Sequence, residues 1–137
     1  MKTILAVDDE VAVLECFQMA LSRAGYRVLT TSHPGEALDV AEAEKVDLLM
    51  LDVRMPKISG LEIYKKLKAK GGNTIPVLFV TAYPTSFSIE SAPMVKMWET
   101  EFSQGDTDIL YKPCDIEALV EKVEGLIGPA KDCESEQ

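Results

Sequence analysis

The sequence predicts an α/β fold, a doubly wound five-stranded parallel sheet with five helices. Three observations carry this reading. Short apolar runs rich in β-formers alternate with helical spacing five times along 137 residues. Two of the runs, Leu48-Leu49-Met50-Leu51 and Val77-Leu78-Phe79-Val80, are apolar at every position, as a strand covered on both faces must be. Polar residues capable of chemistry follow the runs directly, at the carboxyl ends where open sheets of this kind bind their ligands.

The first strand is expected over Thr3–Val7. Val11, Leu14, Phe17, Leu21 and Ala24 then fall on one helical face, and Gly25 ends that helix. A second strand is expected over 26–30. His33-Pro34-Gly35 makes a turn, with His33 exposed in it, and Ala37, Leu38 and Ala41 mark a short second helix. The third strand covers 47–51. After it, Met55-Pro56-Lys57-Ile58-Ser59-Gly60 reads as a loop. Leu61, Tyr64 and Leu67 mark a third helix, stopped by Gly71-Gly72-Asn73, and the fourth strand covers 75–80. Ser91 is placed to cap a further helix, with Pro93 tolerated in its first turn and Met94, Met97, Trp98 and Phe102 following at helical spacing. The fifth strand covers 107–111. Ile116, Leu119, Val120, Val123, Leu126 and Ile127 form the cleanest amphipathic pattern, closed by Gly128-Pro129. One domain over residues 1–128 follows, with 129–137 as a polar tail or the start of a linker.

Composition narrows the function. A hydrophobic content of 47% is ordinary for a globular chain and too rich for a disordered one. The net charge of −9 argues against broad binding to nucleic acid or anionic membrane. There is no apolar run of membrane-spanning length, and the apolar start is cut short by Asp8-Asp9-Glu10, which no signal peptide tolerates. A cytoplasmic location is expected. Cys16, Cys114 and Cys133 are odd in number and far apart, so neither a disulfide framework nor a zinc site is expected.

The strand ends concentrate the chemistry. Asp8, Asp9 and Glu10 follow the first strand, Asp52 the third, Thr81 the fourth and Lys112 the fifth. Carboxylates brought together repel one another and need a cation nearby to stay ionised. Hard oxygen donors in small number suit Mg²⁺, which binds through one or two carboxylates and phosphate oxygens. Lys112 offers a second positive charge for a phosphoryl group, Thr81 a hydrogen bond to it, and an Asp carboxylate can be the nucleophile that forms an aspartyl phosphate. Asp8 and Asp9 also suit the start of the first helix as caps, and one residue can do both.

Ile4-Leu5-Ala6-Val7-Asp8-Asp9-Glu10, Leu51-Asp52-Val53-Arg54-Met55-Pro56 with Gly60, Val80-Thr81-Ala82 and Tyr111-Lys112-Pro113 together resemble the receiver domain of two-component response regulators, of flavodoxin-like topology. The resemblance covers residues 2 to about 128, with all four motifs in order at strand ends. It implies that Asp52 is the phosphoacceptor and that Asp9 ligates Mg²⁺ directly, with Asp8 helping through water. The backbone carbonyl of Arg54 would be the third protein ligand, and Thr81 and Lys112 would contact the phosphoryl group. It implies a sensor histidine kinase or a histidine phosphotransfer protein as donor, a downstream protein as target, and a switch that catalyses only its own phosphorylation and dephosphorylation.

The sequence departs from the family at several points. Thr81 and Lys112 lie further apart than the family pattern, which places an insert near residues 84–92, either a lid over the site edge or a plain surface loop. The aromatic residue usual three positions before the lysine is replaced by Ile109, while Tyr111 shares its strand face. Arg54 and Tyr83 are bulky at the two positions that flank attacking water, so slow self-dephosphorylation is expected. Cys114, in place of a common Phe, reads as a packing variation.

The rival reading is a receiver-fold interaction module that works without phosphorylation. Intact Asp8, Asp9, Asp52, Thr81 and Lys112 speak against it. A phosphohydrolase of the aspartyl-phosphate kind would carry a second Asp where Arg54 stands, and a flavin site would want a phosphate loop where Asp8-Asp9-Glu10 stands.

Overall fold

Five short runs of β-branched and long aliphatic residues pair into one parallel sheet in the order β2-β1-β3-β4-β5. The strands are β1 (Thr3–Val7), β2 (Arg27–Thr31), β3 (Leu48–Leu51), β4 (Val77–Ala82) and β5 (Thr107–Lys112). The computed structural model describes residues 1–52, 60–69, 75–82, 107–112 and 115–130. Four helices lie within them: α1 (Val11–Arg23), α2 (Ala37–Glu44), α3 (Gly60–Ala69) and α4 (Ile116–Ile127), with a 3₁₀ turn at Pro34–Glu36. The expected helix through Met94, Met97, Trp98 and Phe102, the insert near 84–92, Tyr83, Cys114, Cys133 and the stop at Gly71-Gly72-Asn73 lie outside the described residues. None of the described helices is long and apolar enough to cross a membrane.

Alternation along the strands divides the core in two. Leu5, Val7, Leu49, Leu51, Val77, Phe79 and Ile109 face α2 and α3, and pack with Ala37, Ala41, Ile63 and Leu67. Ile4, Ala6, Val28, Leu48, Met50, Leu78 and Val80 face α1 and α4, and pack with Leu14, Phe17, Ala20, Leu21, Leu119 and Val123. A period of two on a buried sheet gives two such clusters and assigns each helix to one side. Edge-on contact of Tyr64 with Phe79, centroids 5.3 Å apart, seats α3 on its face.

The boundaries of five elements differ from expectation, and for β2, β3 and β4 the start moves for a local reason. β2 begins at Arg27, because Tyr26 closes α1: Gly25, at φ 103°, turns the chain so that the Tyr26 N–H donates to Leu21 O at 3.1 Å and the Gly25 N–H to Ser22 O at 3.0 Å. β3 begins at Leu48, because Asp47 is engaged sideways with Thr3 through its own N–H and its carboxylate. β4 begins at Val77, since Pro76 has no N–H to give the ladder, and it runs on to Ala82. Gly60, expected in a loop, is the first residue of α3. The runs of β4 and β5 therefore include Thr81 and Lys112 as strand residues, paired Thr81↔Tyr111 and Ala82↔Lys112; both were expected just beyond their strands.

Strand order reverses at β1. The chain goes from β1 to β2 on one side, then to β3, β4 and β5 on the other. The crevice outside the carboxyl ends of β1 and β3 is the place such a reversal opens for a ligand.

Candidate functional site

Val7 and Leu51 are register partners, so the next residue of each strand, Asp8 and Asp52, leaves the sheet side by side. The ladder carries on for one more step on either flank. The Asp52 N–H donates to Val7 O at 3.3 Å and the Asp8 N–H to Thr31 O at 3.4 Å. Both side chains are buried, Asp8 at 1% and Asp52 at 6% exposure, whereas Asp9 is exposed. Ionised carboxylates at that depth require hydrogen bonds and a cation.

Asp8 has both. Its Oδ1 accepts the N–H of Glu10 at 3.0 Å; Glu10 itself is the N-cap of α1 and that helix has no side-chain cap, so the capping role expected for Asp8 and Asp9 is not what the structure shows. Its Oδ2 accepts from Lys112 Nζ at 2.7 Å. The same ammonium donates to Asp52 Oδ2 at 3.2 Å. Lys112 stands on β5, with β4 between it and β3. Two strand spacings of about 4.8 Å separate it from β3 and three from β1; its four-carbon stem with a compact charge at the tip, met by the aspartate side chains, closes both spans. Burial alone would lower the Lys112 pKa. The hydrogen bond to Asp8, with the negative charges of Asp52 and Asp8, outweighs burial and holds the ammonium above its ordinary value.

Asp8, Asp9 and Asp52 each present a carboxylate oxygen, all within 4.8 Å of one another. An Mg–O distance of about 2.0–2.1 Å puts two ligand oxygens at most about 4.2 Å apart. The donor set is all oxygen and strongly negative, and one ligand faces solvent, so these residues fit Mg²⁺. Asp8 has both oxygens engaged, by the Glu10 N–H and by Lys112, whereas Asp9 faces solvent.

Of the residues expected at the site, Asp8, Asp9, Asp52 and Lys112 come together. Thr81 is placed one residue before the end of β4, opposite Tyr111. Arg54 lies outside the described residues. Ile109 is buried on the α2–α3 face of the sheet, and Tyr111 packs on that same cluster, as strand alternation requires. The direct pairing of Lys112 with Asp8 was not expected; parity and spacing place residues on an edge but do not say which carboxylate a long side chain reaches. His33 is exposed, ahead of the 3₁₀ turn, as expected.

Comparison with known proteins gives a consistent picture. The family model for the response regulator receiver domain matches residues 4–124. The alkaline phosphatase synthesis transcriptional regulatory protein PhoP of Bacillus subtilis is 44% identical over 86 residues, covering 63% of this chain and 35% of that protein. The response regulator MprA of Mycobacterium leprae is 34% identical over 128 residues, covering 93% of this chain and 52% of that protein. The chain thus spans about half or less of the length of these curated relatives. Among solved structures, the Vibrio cholerae chemotaxis protein CheY4 superposes with a TM-score of 0.76 at 28% identity, covering 92% of this chain and 98% of that one. The Thermotoga maritima response regulator TrrA, solved in complex with Mg²⁺ and BeF, superposes at 0.72 and 30% identity, covering 92% and 99%. With these matches, the chain belongs to the response regulator receiver domain family of two-component signalling.

Proposed function

We propose that Asp52 accepts a phosphoryl group from the phosphohistidine of a sensor histidine kinase or a histidine phosphotransfer protein, and that the chain works as a phosphorylation-controlled switch. The observation that carries this reading is the placement of the Asp52 carboxylate, buried at the carboxyl edge of the sheet, beside Asp8 and Asp9, with Lys112 bonded to it. An oxygen of Asp52 attacks phosphorus, the P–N bond to the donor imidazole breaks, and that nitrogen keeps the electron pair. Lys112 sits where negative charge moves during transfer, and charge neutralisation with alignment accounts for most of the catalysis of such transfers. Thr81 offers its hydroxyl to a phosphoryl oxygen.

Asp9, Asp52 and the Arg54 carbonyl would hold Mg²⁺ directly, with Asp8 assisting through water. The ion supplies positive charge against the phosphoryl oxygens when bound. Arg54 and Tyr83 hinder the water that would attack the aspartyl phosphate. The domain spans 1–128, with 129–137 as tail or linker. The protein acts in the cytoplasm through a downstream protein partner, without direct contact of this chain to nucleic acid, in keeping with its charge of −9.

Incubation with acetyl phosphate or beryllofluoride, with and without Mg²⁺, tests this, read by intact mass for the wild type and Asp52→Asn. Addition of one phosphoryl group, dependent on Mg²⁺ and absent in Asp52→Asn, is the expected result. No Mg²⁺-dependent addition would favour an interaction module that works unphosphorylated.

A further inference from the structure

The end of the sheet away from the acidic pocket holds a second arrangement that the switch does not use. α4 ends at Ile127, and its own last turn carries no basic residue; Glu124 adds a negative charge there. A helix end of this kind has unpaired carbonyls and a partial negative charge. Lys2, just before β1, supplies what is missing. Its ammonium donates to Ile127 O, across 125 positions of sequence. The next carbonyl, of Gly128, accepts from Tyr26 Oη at 2.7 Å. Tyr26 is 3% exposed and is held by the closing turn of α1. Lys2 and Tyr26 are themselves tied together, since the Arg27 N–H donates to Lys2 O at 2.9 Å.

Gly128 is the residue this arrangement requires. It stands at φ 80°, which side chains disfavour, and a Cβ built there would lie 3.0 Å from Lys2 Nζ. Its own N–H donates to Glu124 O at 2.8 Å. Ala130 then returns to the core, 8% exposed, in the cluster of Phe17, Leu21 and Tyr26. The Tyr26 phenol is pushed up to about 12 by burial and by the Glu124 charge, so it stays a donor at every physiological pH.

We propose that Lys2 and Tyr26 form a clasp that fixes where and in which direction the chain leaves the domain after α4. Whatever follows Ala130 starts from the amino-terminal ends of β1 and β2. Five residues of β1, at about 3.3 Å each, separate that exit from the Asp8 end. The exit is a held point, so the chain through Ala130 leaves the domain from one fixed place on the sheet. The inference does not depend on the phosphorylation chemistry.

The test uses the whole 137-residue chain as wild type, Tyr26→Phe, Lys2→Met and the double variant, with backbone ¹⁵N relaxation and amide exchange. Phe keeps the buried ring, so the fold is retained. In the wild type, the Gly128 and Ala130 amides are expected to show order parameters near those of the strands, about 0.85. The double variant is expected to fall below about 0.6 there. Exchange at the Gly128 amide should rise about tenfold in each single variant, with β1 and β3 amides unchanged. Order at Gly128 and Ala130 that is unaltered in the double variant, or low already in the wild type, would overturn the clasp. Equal acceleration at all amides would also overturn it, since it would reduce Lys2 and Tyr26 to general stabilisers.

Discussion

Among the described residues, Lys112 and Asp8 form the closest charge pair of the acidic pocket, 2.7 Å from ammonium to carboxylate, while the same ammonium stands 3.2 Å from Asp52. One cation from an outer strand thus neutralises two buried acids of the central strands. Replacing it by an uncharged side chain leaves both acids without it. Lys112→Met should cost about 3–5 kcal/mol of stability in metal-free buffer. Urea denaturation with EDTA and with millimolar Mg²⁺ checks this, and Mg²⁺ should restore most of the loss. A loss below about 1 kcal/mol would show that the carboxylates are solvated or neutral.

Mg²⁺ itself should raise the melting temperature of the wild type, since three carboxylates gathered in the folded state bind it far better than an open chain does. At a hundredfold excess over Kd the gain is about 2.7 kcal/mol. Asp9 is the exposed member of the cluster, so Asp9→Asn should fold normally and lose most of this gain. Differential scanning calorimetry across an Mg²⁺ titration measures both. A gain in Asp9→Asn equal to that of the wild type would exclude Asp9 as a ligand.

The Tyr26 phenol has a sign-defined effect on alkaline stability. Its folded pKa, about 12, is raised above the ordinary phenol value of 10.0 by burial and by the charge of Glu124. A raised value means that the folded state holds the proton more tightly, so this contribution is full below pH 10 and is lost as pH rises toward 12. Lys112, raised as well, acts in the same direction. Urea midpoints at pH 9, 10 and 11 should fall for the wild type, and less steeply for Tyr26→Phe. Below pH 9 that variant should be about 1 kcal/mol less stable, for the hydrogen bond to Gly128 it lacks. Parallel pH profiles would show that the phenol does not titrate differently on folding.

On the roles proposed for Arg54 and Tyr83, self-dephosphorylation should be slow. Phosphorylated protein, freed of donor by desalting, should persist for minutes or longer by intact mass. Arg54→Ala with Tyr83→Ala should shorten that lifetime, and a wild-type lifetime of seconds would refute the crowding argument.

Much of this was readable from the residues alone. The apolar runs at 48–51 and 77–80 mark strands covered on both faces, and Asp8, Asp9, Asp52, Thr81 and Lys112 were found by asking what stands at each strand end. Local chemistry displaced the boundaries: the missing N–H of Pro76 delays β4, and the turn at Gly25 draws Tyr26 out of β2. Contacts distant in sequence were not readable. Nothing in Lys2 or Tyr26 announces a partner more than a hundred positions away, and nothing in Lys112 says that it prefers Asp8 at 2.7 Å to Asp52 at 3.2 Å. Such choices depend on how strands already placed bring side-chain tips together.

The sheet separates two apolar clusters that share only backbone, one with Leu67 on α3 and one with Leu119 on α4. Leu67→Ala and Leu119→Ala should each cost about 2–5 kcal/mol, and together their sum to within about 0.5 kcal/mol. Each side of the molecule can accordingly change its packing residues without retuning the other. Helices on one side are free to diverge toward new partners while the strand ends that carry Asp8 and Asp52 stay where they are.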